Sequence, residues 1–137
     1  MSDKFFIQKS TDVALARELH SKTFPTDNFD TVTGSSYWIV WHKGVPVGFC
    51  SVREFSKSIL FLSRAGLLPE ARSKGLHTRM IRARTRWAKR NGFKAITTYA
   101  TIENIRSTSN LEKCGFKRYV PAHHYAGRGV LYYLKEL

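Results

Sequence analysis

The sequence predicts a mixed α/β sheet, because short runs of β-forming residues are separated by single helical segments without regular alternation. Hydrophobic residues make up 42% of the chain and aromatic residues 13%, which is enough for a packed core and argues against disorder. With 137 residues and no linker or internal repeat, residues 1–137 are predicted to form a single domain.

The first half of the chain is predicted to contain one helix and four strands. The helix begins near Ser10 or Thr11, either of which would be an N-cap, because apolar residues then recur at helical spacing. Residues 25–36 are predicted to form a loop or a short second helix. Lys43-Gly44 is typical of a hairpin turn, and Gly66 marks a bulge or a close approach of another segment. The strands are residues 5–7, 37–41, 45–55 and 59–68.

The second half begins with a long amphipathic helix over residues 76–91, which Asn91-Gly92 ends as a C-cap would. Its apolar face consists of Leu76, Met80, Ala83, Trp87 and Ala88. Its opposite face carries Arg79, Arg82, Arg86, Lys89 and Arg90. The remaining predicted elements are a strand at 95–100, a helix at 104–113, and strands at 116–120 and 130–134.

The charge of the chain is strongly positive. It has 23 basic and 10 acidic residues, a net charge of +13, and residues 64–94 alone contain ten basic residues and the single acid Glu70. Such a field attracts polyanions. The partner that this charge predicts is a nucleic acid, a phosphorylated cofactor or an acidic protein surface, and composition alone does not choose among the three.

Several classes of protein are disfavoured by the sequence. No apolar run approaches the ~18 residues of a membrane span, and the N-terminus has no secretory hydrophobic region. Cys50 and Cys114 are the only cysteines, so a reducing, cytoplasmic location without disulfides is expected. Two cysteines and five scattered histidines also make a poor zinc signature, so no metal site is expected.

The hexapeptide RSKGLH, residues 72–77, lies where a strand gives way to the long helix. The first N–H groups of a helix lack acceptors within it, and the helix dipole adds partial positive charge there. Gly75 lets a ligand approach the backbone closely, while Arg72 and Lys74 add charge. This combination is suited to a phosphate or diphosphate. The alternative is a plain helix start on a basic surface.

Two motifs then resemble the GNAT superfamily of N-acetyltransferases. The family's [RQ]-x-x-G-x-[GA] motif is matched by Arg72 and Gly75, with His77 replacing the final small residue. In ENIRSTSNLEKCGF the family's second motif is matched by Asn104, Ser107, Leu111, Glu112, Lys113, Gly115 and Phe116. The stretch SRAGLLPEARSKGL resembles a subset found in bacteria and their phages.

The resemblance implies a mixed, mostly antiparallel sheet of about six to seven strands, flanked by about four helices and splayed between its fourth and fifth strands. It also implies acetyl-CoA as cofactor, held in that splay. The pantetheine arm would bond to the backbone of Leu67 and Leu68 on one wall and to Asn104 on the other. The diphosphate would bind the backbone of the loop and first helical turn, and residues 107–110 would lie near the thiol end or the adenine. The implied cofactor-binding residues are Leu67, Leu68, Arg72, Ser73, Lys74, Gly75, Leu76, His77, Thr78, Asn104, Ser107 and Asn110.

The resemblance leaves the proton-transfer groups open. Many family members protonate the departing thiolate with a tyrosine at the position that Leu111 occupies here. The substitutes are Ser107, Ser109 or Tyr119, or a thiolate that leaves unaided. The position of a carboxylate base in some members is occupied by Tyr99, which is therefore the first catalytic candidate. Glu103 and Glu54 follow it.

The resulting hypothesis is an enzyme that transfers an acetyl group from acetyl-CoA to a primary amine of a small molecule or a protein, by direct attack. The alternative is a catalytically weak binding module of the same fold, whose basic helix grips nucleic acid or an acidic protein. A monomer or a homodimer fits either hypothesis.

Overall fold

The structure, a computed structural model, describes residues 4–27, 29 and 35–137, and these form seven strands and three α-helices around one sheet. In chain order the elements are β1 (Phe5–Ser10), α1 (Val13–Thr23), β2 (Ser36–His42), β3 (Val45–Glu54), β4 (Ile59–Leu67), α2 (Leu76–Arg90), β5 (Ala95–Thr101), α3 (Ile105–Lys113), β6 (Lys117–Tyr119) and β7 (Val130–Glu136). A 3-10 turn, Pro69–Ala71, follows β4. The described residues thus hold three α-helices where about four were expected. Half of residues 25–36, the segment for which a loop or a short second helix was predicted, lies outside the described residues.

The sheet has the strand order β1-β2-β3-β4-β5-β7-β6. Every neighbouring pair is antiparallel except β4 and β5, which are parallel. These two strands pair only from Ile59 opposite Ala95 to Phe61 opposite Thr97. Beyond that point the Thr98 hydroxyl donates to the Leu62 carbonyl at 3.0 Å, and the ladder ends. The expected splay between the fourth and fifth strands is confirmed.

The two faces of the sheet pack against different helices. Side chains of a strand alternate between faces, and β2 shows this directly. Its residues Trp38 and Val40 lie in the larger core with α2 and α3, whereas Tyr37 and Ile39 lie in a smaller core with α1. The larger core includes Leu76, Met80, Ile81 and Ala88 of α2. The two faces of the sheet therefore belong to separate cores, and the splay between β4 and β5 is an opening in the sheet that both faces border.

Gly66 in β4 lies where α1 approaches the sheet. A Cβ atom on Gly66 would lie 2.5 Å from Thr23 Oγ1 and 3.0 Å from a ring carbon of Phe49, so a larger residue would displace α1. The prediction of a close approach at this glycine is confirmed. Because Thr23 ends α1, this contact also sets how closely the end of the helix approaches β4.

The N-cap of α1 differs from the prediction. Asp12 caps the helix, with its carboxylate accepting from the Leu15 N–H at 3.0 Å. Ser10 is the last residue of β1, and its hydroxyl instead accepts from the Asp12 N–H at 3.0 Å. A carboxylate at the N-cap also interacts favourably with the helix dipole. The hairpin between β2 and β3 is as predicted, with Lys43 and Gly44 both at positive φ.

The longest helix is α2, with 15 residues and six cationic side chains. In the part of the chain that the structure describes, no helix has the length and apolar character needed to cross a bilayer.

Candidate active site

The loop before α2 leaves a row of backbone N–H groups without acceptors. Ser73 and Gly75 have φ of 61° and 73°, and Gly75 is the N-cap of α2 without any side-chain cap. The Arg72 N–H donates to the Pro69 carbonyl at 3.2 Å, and the next N–H along the chain with a backbone acceptor is that of Arg79, which donates to the Gly75 carbonyl at 3.3 Å. Within residues 4–27, 29 and 35–137, nothing accepts from the N–H groups of residues 74–78. Such a row is a ready site for an anion.

The loop is tied to the end of β4. Arg72 Nε donates to the Leu67 carbonyl at 3.2 Å, which holds the loop against the strand. The Leu68 N–H donates to the Val47 carbonyl of β3 at 2.8 Å, so this N–H already has an acceptor within the protein. A cavity of about 310 Å³ opens beside the loop, between Leu67 and α3. Its lining includes Gly75, His77 and Asn110.

A second cavity, of about 200 Å³, occupies the splay between β4 and β5. It shares His77, Arg106 and Asn110 with the cavity at the loop, so the two cavities lie side by side. Asn104 and Ser107 line it from the start of α3. Asn104 caps this helix, since its side-chain oxygen accepts from the Ser107 N–H at 3.1 Å. We name these two adjacent cavities together the splay cleft.

A third cavity, of about 260 Å³, lies on the α1 side of the sheet. It shares Leu62, Ser63, Thr98 and Tyr99 with the splay cleft, so the two spaces meet where β4 and β5 diverge. The Ser63 hydroxyl is buried at this junction and has no hydrogen-bond partner among the residues described. Aromatic rings line much of this space, which we name the α1-side cavity. They are Phe29, Tyr37, Phe49, Phe61 and Tyr99.

Most of the residues expected to bind the cofactor come together in these spaces. The splay cleft is lined by Leu67, Ser73, Gly75, Leu76, His77, Thr78, Asn104, Ser107 and Asn110. Three others, Leu68, Arg72 and Lys74, lie at the loop but outside that lining.

Few of the candidates for proton transfer lie in the splay cleft or the α1-side cavity. Tyr99 lies at the junction and is 36% exposed. Ser109, Glu103 and Glu54 line neither the splay cleft nor the α1-side cavity. The Tyr119 hydroxyl is hydrogen-bonded to Thr97 Oγ1 at 2.8 Å. Tyr99 is therefore the one base candidate from the sequence that the fold places between the two spaces.

A buried histidine of α1, for which the sequence predicted no functional role, lines the α1-side cavity. His20 is 1% exposed, and its Nε2 lies 2.8 Å from Asp27 Oδ2. Arg64 holds the same carboxylate with its Nε at 2.7 Å and a terminal nitrogen at 2.8 Å. The hydrogen bond from His20, together with Arg64, lowers the pKa of Asp27. No local motif could have indicated this cluster, because Asp27 and Arg64 are 37 residues apart.

A buried arginine is the second feature that the sequence did not reveal. Arg84 is 3% exposed and lines the splay cleft. Its side chain donates to the Ser51 carbonyl of β3 at 3.0 Å and contacts the Ser63 carbonyl of β4 at 3.5 Å. Burial lowers the pKa of Arg84, but a guanidinium remains charged near neutral pH. The cleft therefore contains a fixed positive charge beside the apolar Leu111.

His77 occupies the position of the small residue in the family motif, where it lines the splay cleft. Burial lowers the pKa of its imidazole, and the cations Arg84, Arg106 and Arg72 lower it further. We therefore expect a neutral imidazole at pH 7, able both to donate and to accept a hydrogen bond in the cleft.

Comparison with known proteins gives one family and many similar folds. The model of the acetyltransferase (GNAT) family matches residues 7–116. An IAA acetyltransferase from Bacillus cereus superposes with a TM-score of 0.81 at 15% identity, covering 98% of this chain and 100% of that one. A GNAT family acetyltransferase from Elizabethkingia anophelis with acetyl-CoA bound gives a TM-score of 0.82 at 10% identity, covering 99% and 100%. The ribosomal-protein-S18-alanine N-acetyltransferase from Escherichia coli gives 0.78 at 12%, covering 97% and 94%. Among curated proteins, no sequence matches the chain.

Proposed function

This chain belongs to the acetyltransferase (GNAT) family, and from that premise we propose that it binds acetyl-CoA in the splay cleft and transfers the acetyl group to a primary amine in the α1-side cavity. One observation carries the proposal. Residues 75–78, whose N–H groups have no acceptor among the residues described, line a cleft that adjoins a second cavity at the gap between β4 and β5. A cofactor and an acceptor on opposite faces of the sheet would meet at that gap.

The residues present fit the phosphate end of coenzyme A. Consecutive N–H groups at a helix N-terminus bind phosphate oxygens, and the helix dipole favours their negative charge. Arg72 and Lys74 add two cationic side chains at the same loop. We infer that Asn104 and the Leu67 backbone hold the pantetheine arm. Acetyl-CoA supplies an activated thioester when bound. The protein's own groups orient this thioester and accept the proton that the amine loses.

The acceptor amine must lose a proton before it can attack. We infer that two groups lining the α1-side cavity serve this need. Tyr99 lies at the junction itself. Because a carboxylate oxygen accepts, His20 donates its Nε2–H to Asp27, which leaves Nδ1 as a proton acceptor. The Ser63 hydroxyl, which is buried at the junction and has no partner in the described part of the chain, would complete its hydrogen bonding to the acceptor or to the acetyl group.

The leaving thiolate requires stabilisation from another source than the usual tyrosine, because Leu111 occupies that position. We infer that the guanidinium of Arg84 provides it electrostatically. A fixed positive charge in a buried site stabilises developing negative charge without reorganising, and Arg84 is held in place by carbonyls on two strands. A nitrogen acceptor is supported by the Escherichia coli neighbour, which is an alanine N-acetyltransferase.

The direct test has two readouts. Acetyl-CoA should raise the melting temperature of the protein, since a ligand that binds only the native state stabilises it by mass action. Incubation with labelled acetyl-CoA, a panel of primary amines and a cell extract should then transfer the label to an amine. If acetyl-CoA gives no thermal stabilisation, the proposal is wrong. If stabilisation occurs but no amine or protein becomes labelled, the catalytically weak binding module is favoured instead.

A further inference from the structure

The exposed face of α2 carries a row of positive charge that forms no ion pair among the residues described. We name this surface the α2 basic face; it consists of Arg79, Arg82, Arg86, Lys89 and Arg90, all exposed. The helix contains no acidic residue. The ion pairs found among the residues described use other cations, namely Lys22, Arg64 and Arg118. Like charges at i, i+4 destabilise a helix by a few tenths of a kcal/mol per pair, so this row works against helix stability.

Most of this charge lies too far from the phosphate site to serve coenzyme A. An α-helix rises about 1.5 Å per residue. Arg82 is therefore about 10 Å along the helix from Gly75, Arg86 about 16 Å, and Arg90 about 22 Å. Screening at physiological salt has a length of about 8 Å. The N-terminal end of α2 is assigned to the diphosphate, and the remaining three turns need a different anion.

The chemistry of the surface indicates the partner. Protein interfaces depend on buried aromatic or aliphatic anchors, and none of the exposed large hydrophobic residues lies on α2. The row instead contains four arginines, whose planar guanidinium groups bind phosphate with two hydrogen bonds. Lys9 extends the surface from β1, with its Nζ 5.4 Å from the ring centre of Trp87.

A shallow depression at the N-terminal end of the row adds an aromatic group. It is lined by Lys4, Phe5, Phe6, Lys74 and Arg79. Phe6 is 60% exposed. An exposed ring beside a track of cations is the arrangement on which nucleic-acid bases stack. We propose that the α2 basic face, with Phe6, binds the phosphodiester backbone of a nucleic acid, which brings the acetyltransferase site close to that polymer.

The test uses the full chain and two defined probes, a fluorescein-labelled duplex DNA of about 20 base pairs and a single-stranded RNA of similar length. With about five phosphate contacts, duplex affinity should fall about 500-fold between ~50 and ~200 mM salt. The variant Arg82→Gln/Arg86→Gln/Arg90→Gln keeps good helix formers but removes three contacts. This variant should bind the duplex more weakly than the wild type, and its affinity should fall only about 12-fold over the same range of salt concentration.

A matched control removes the same number of positive charges from another part of the surface. Lys57, Lys117 and Arg128 are exposed and lie outside α2, so replacing all three by glutamine should leave affinity and salt dependence as in the wild type. Acetyl-CoA should stabilise both variants equally, which separates this proposal from the proposed function. The proposal is overturned if neither probe binds at ~50 mM salt. It is also overturned if the two variants behave alike, or if polyglutamate competes as well as nucleic acid at equal charge.

Discussion

Replacing Gly75 by aspartate and, separately, by asparagine isolates the charge that the loop presents to the diphosphate. Gly75 has φ of 73°, which asparagine and aspartate tolerate better than other residues. A Cβ atom at this position would meet nothing within 4 Å, so neither variant overpacks the fold. Both should lose about 1 kcal/mol of folding stability from the left-handed backbone, or roughly 4 °C in melting temperature. The pair therefore differs only in one negative charge.

The magnitude follows from the position of that charge. A carboxylate about 5 Å from one phosphate, at an effective dielectric constant of about 20, is repelled by about 3 kcal/mol. Solvent at this exposed loop reduces the effect to about 2 kcal/mol, or roughly 30-fold in affinity. At a concentration of acetyl-CoA about 100 times the wild-type Kd, stabilisation should fall from about 2.7 to about 0.9 kcal/mol.

Thermal melts with and without acetyl-CoA measure this difference. The wild type should shift by about 10 °C and Gly75→Asp by about 3 °C, while Gly75→Asn retains most of the wild-type shift. The reasoning is refuted if both variants fold and respond to acetyl-CoA equally, because a negative charge at the loop would then be without effect on the ligand.

Three further predictions concern titration and the junction between the cavities. Because burial and neighbouring cations lower the pKa of His77, the folded chain binds fewer protons than the unfolded chain just below pH ~6.5, and the free energy of unfolding therefore decreases as pH falls through that window. Bound coenzyme A should raise the pKa of His77, which NMR can measure. An unchanged pKa would place the phosphates elsewhere. Ser63→Ala should leave the melting temperature within about 1 °C, because the hydroxyl has no partner among the residues described, yet should slow acetyl transfer at least ~10-fold; an unchanged rate would remove Ser63 from the site. Asp27→Asn should lower the melting temperature by about 3 °C at pH 7, because it removes the carboxylate that joins His20 to Arg64. The pKa of Asp27 is lowered in the fold, so its stabilisation is fully present above pH ~4 and is lost as pH falls further. The difference between variant and wild type should therefore shrink progressively below pH ~4, and a constant difference would contradict this.

The parts of the fold that could be predicted from sequence are those that depend on residues close together in the chain. The turn at Lys43-Gly44 and the helix starting at Leu76 follow from glycine chemistry and apolar spacing over a few residues. Gly66 signalled a close approach without showing what approaches, because its neighbour Thr23 is remote in sequence. The N-cap was placed one or two residues early, at Thr11 or Ser10, because Ser10, Thr11 and Asp12 are all capping residues and only the extent of β1 favours Asp12.

The site divides in the same way. The loop at Gly75 and the cap at Asn104 lie in motifs, so the sequence located them. The contacts of Arg84 depend on how α2 packs on β3 and β4, and a sequence pattern that assigns arginine to the solvent side cannot show a buried one. The meeting of His20, Asp27 and Arg64 likewise requires α1, the loop after it and β4 to be folded together.

A crystal structure of the protein with coenzyme A tests the central claim most directly. The account predicts diphosphate oxygens within hydrogen-bond distance of the N–H groups of residues 74–78, and the thiol end in the gap beside Ser63 and Thr98. A diphosphate bound away from that loop, or a thiol end that does not reach the gap, would contradict it.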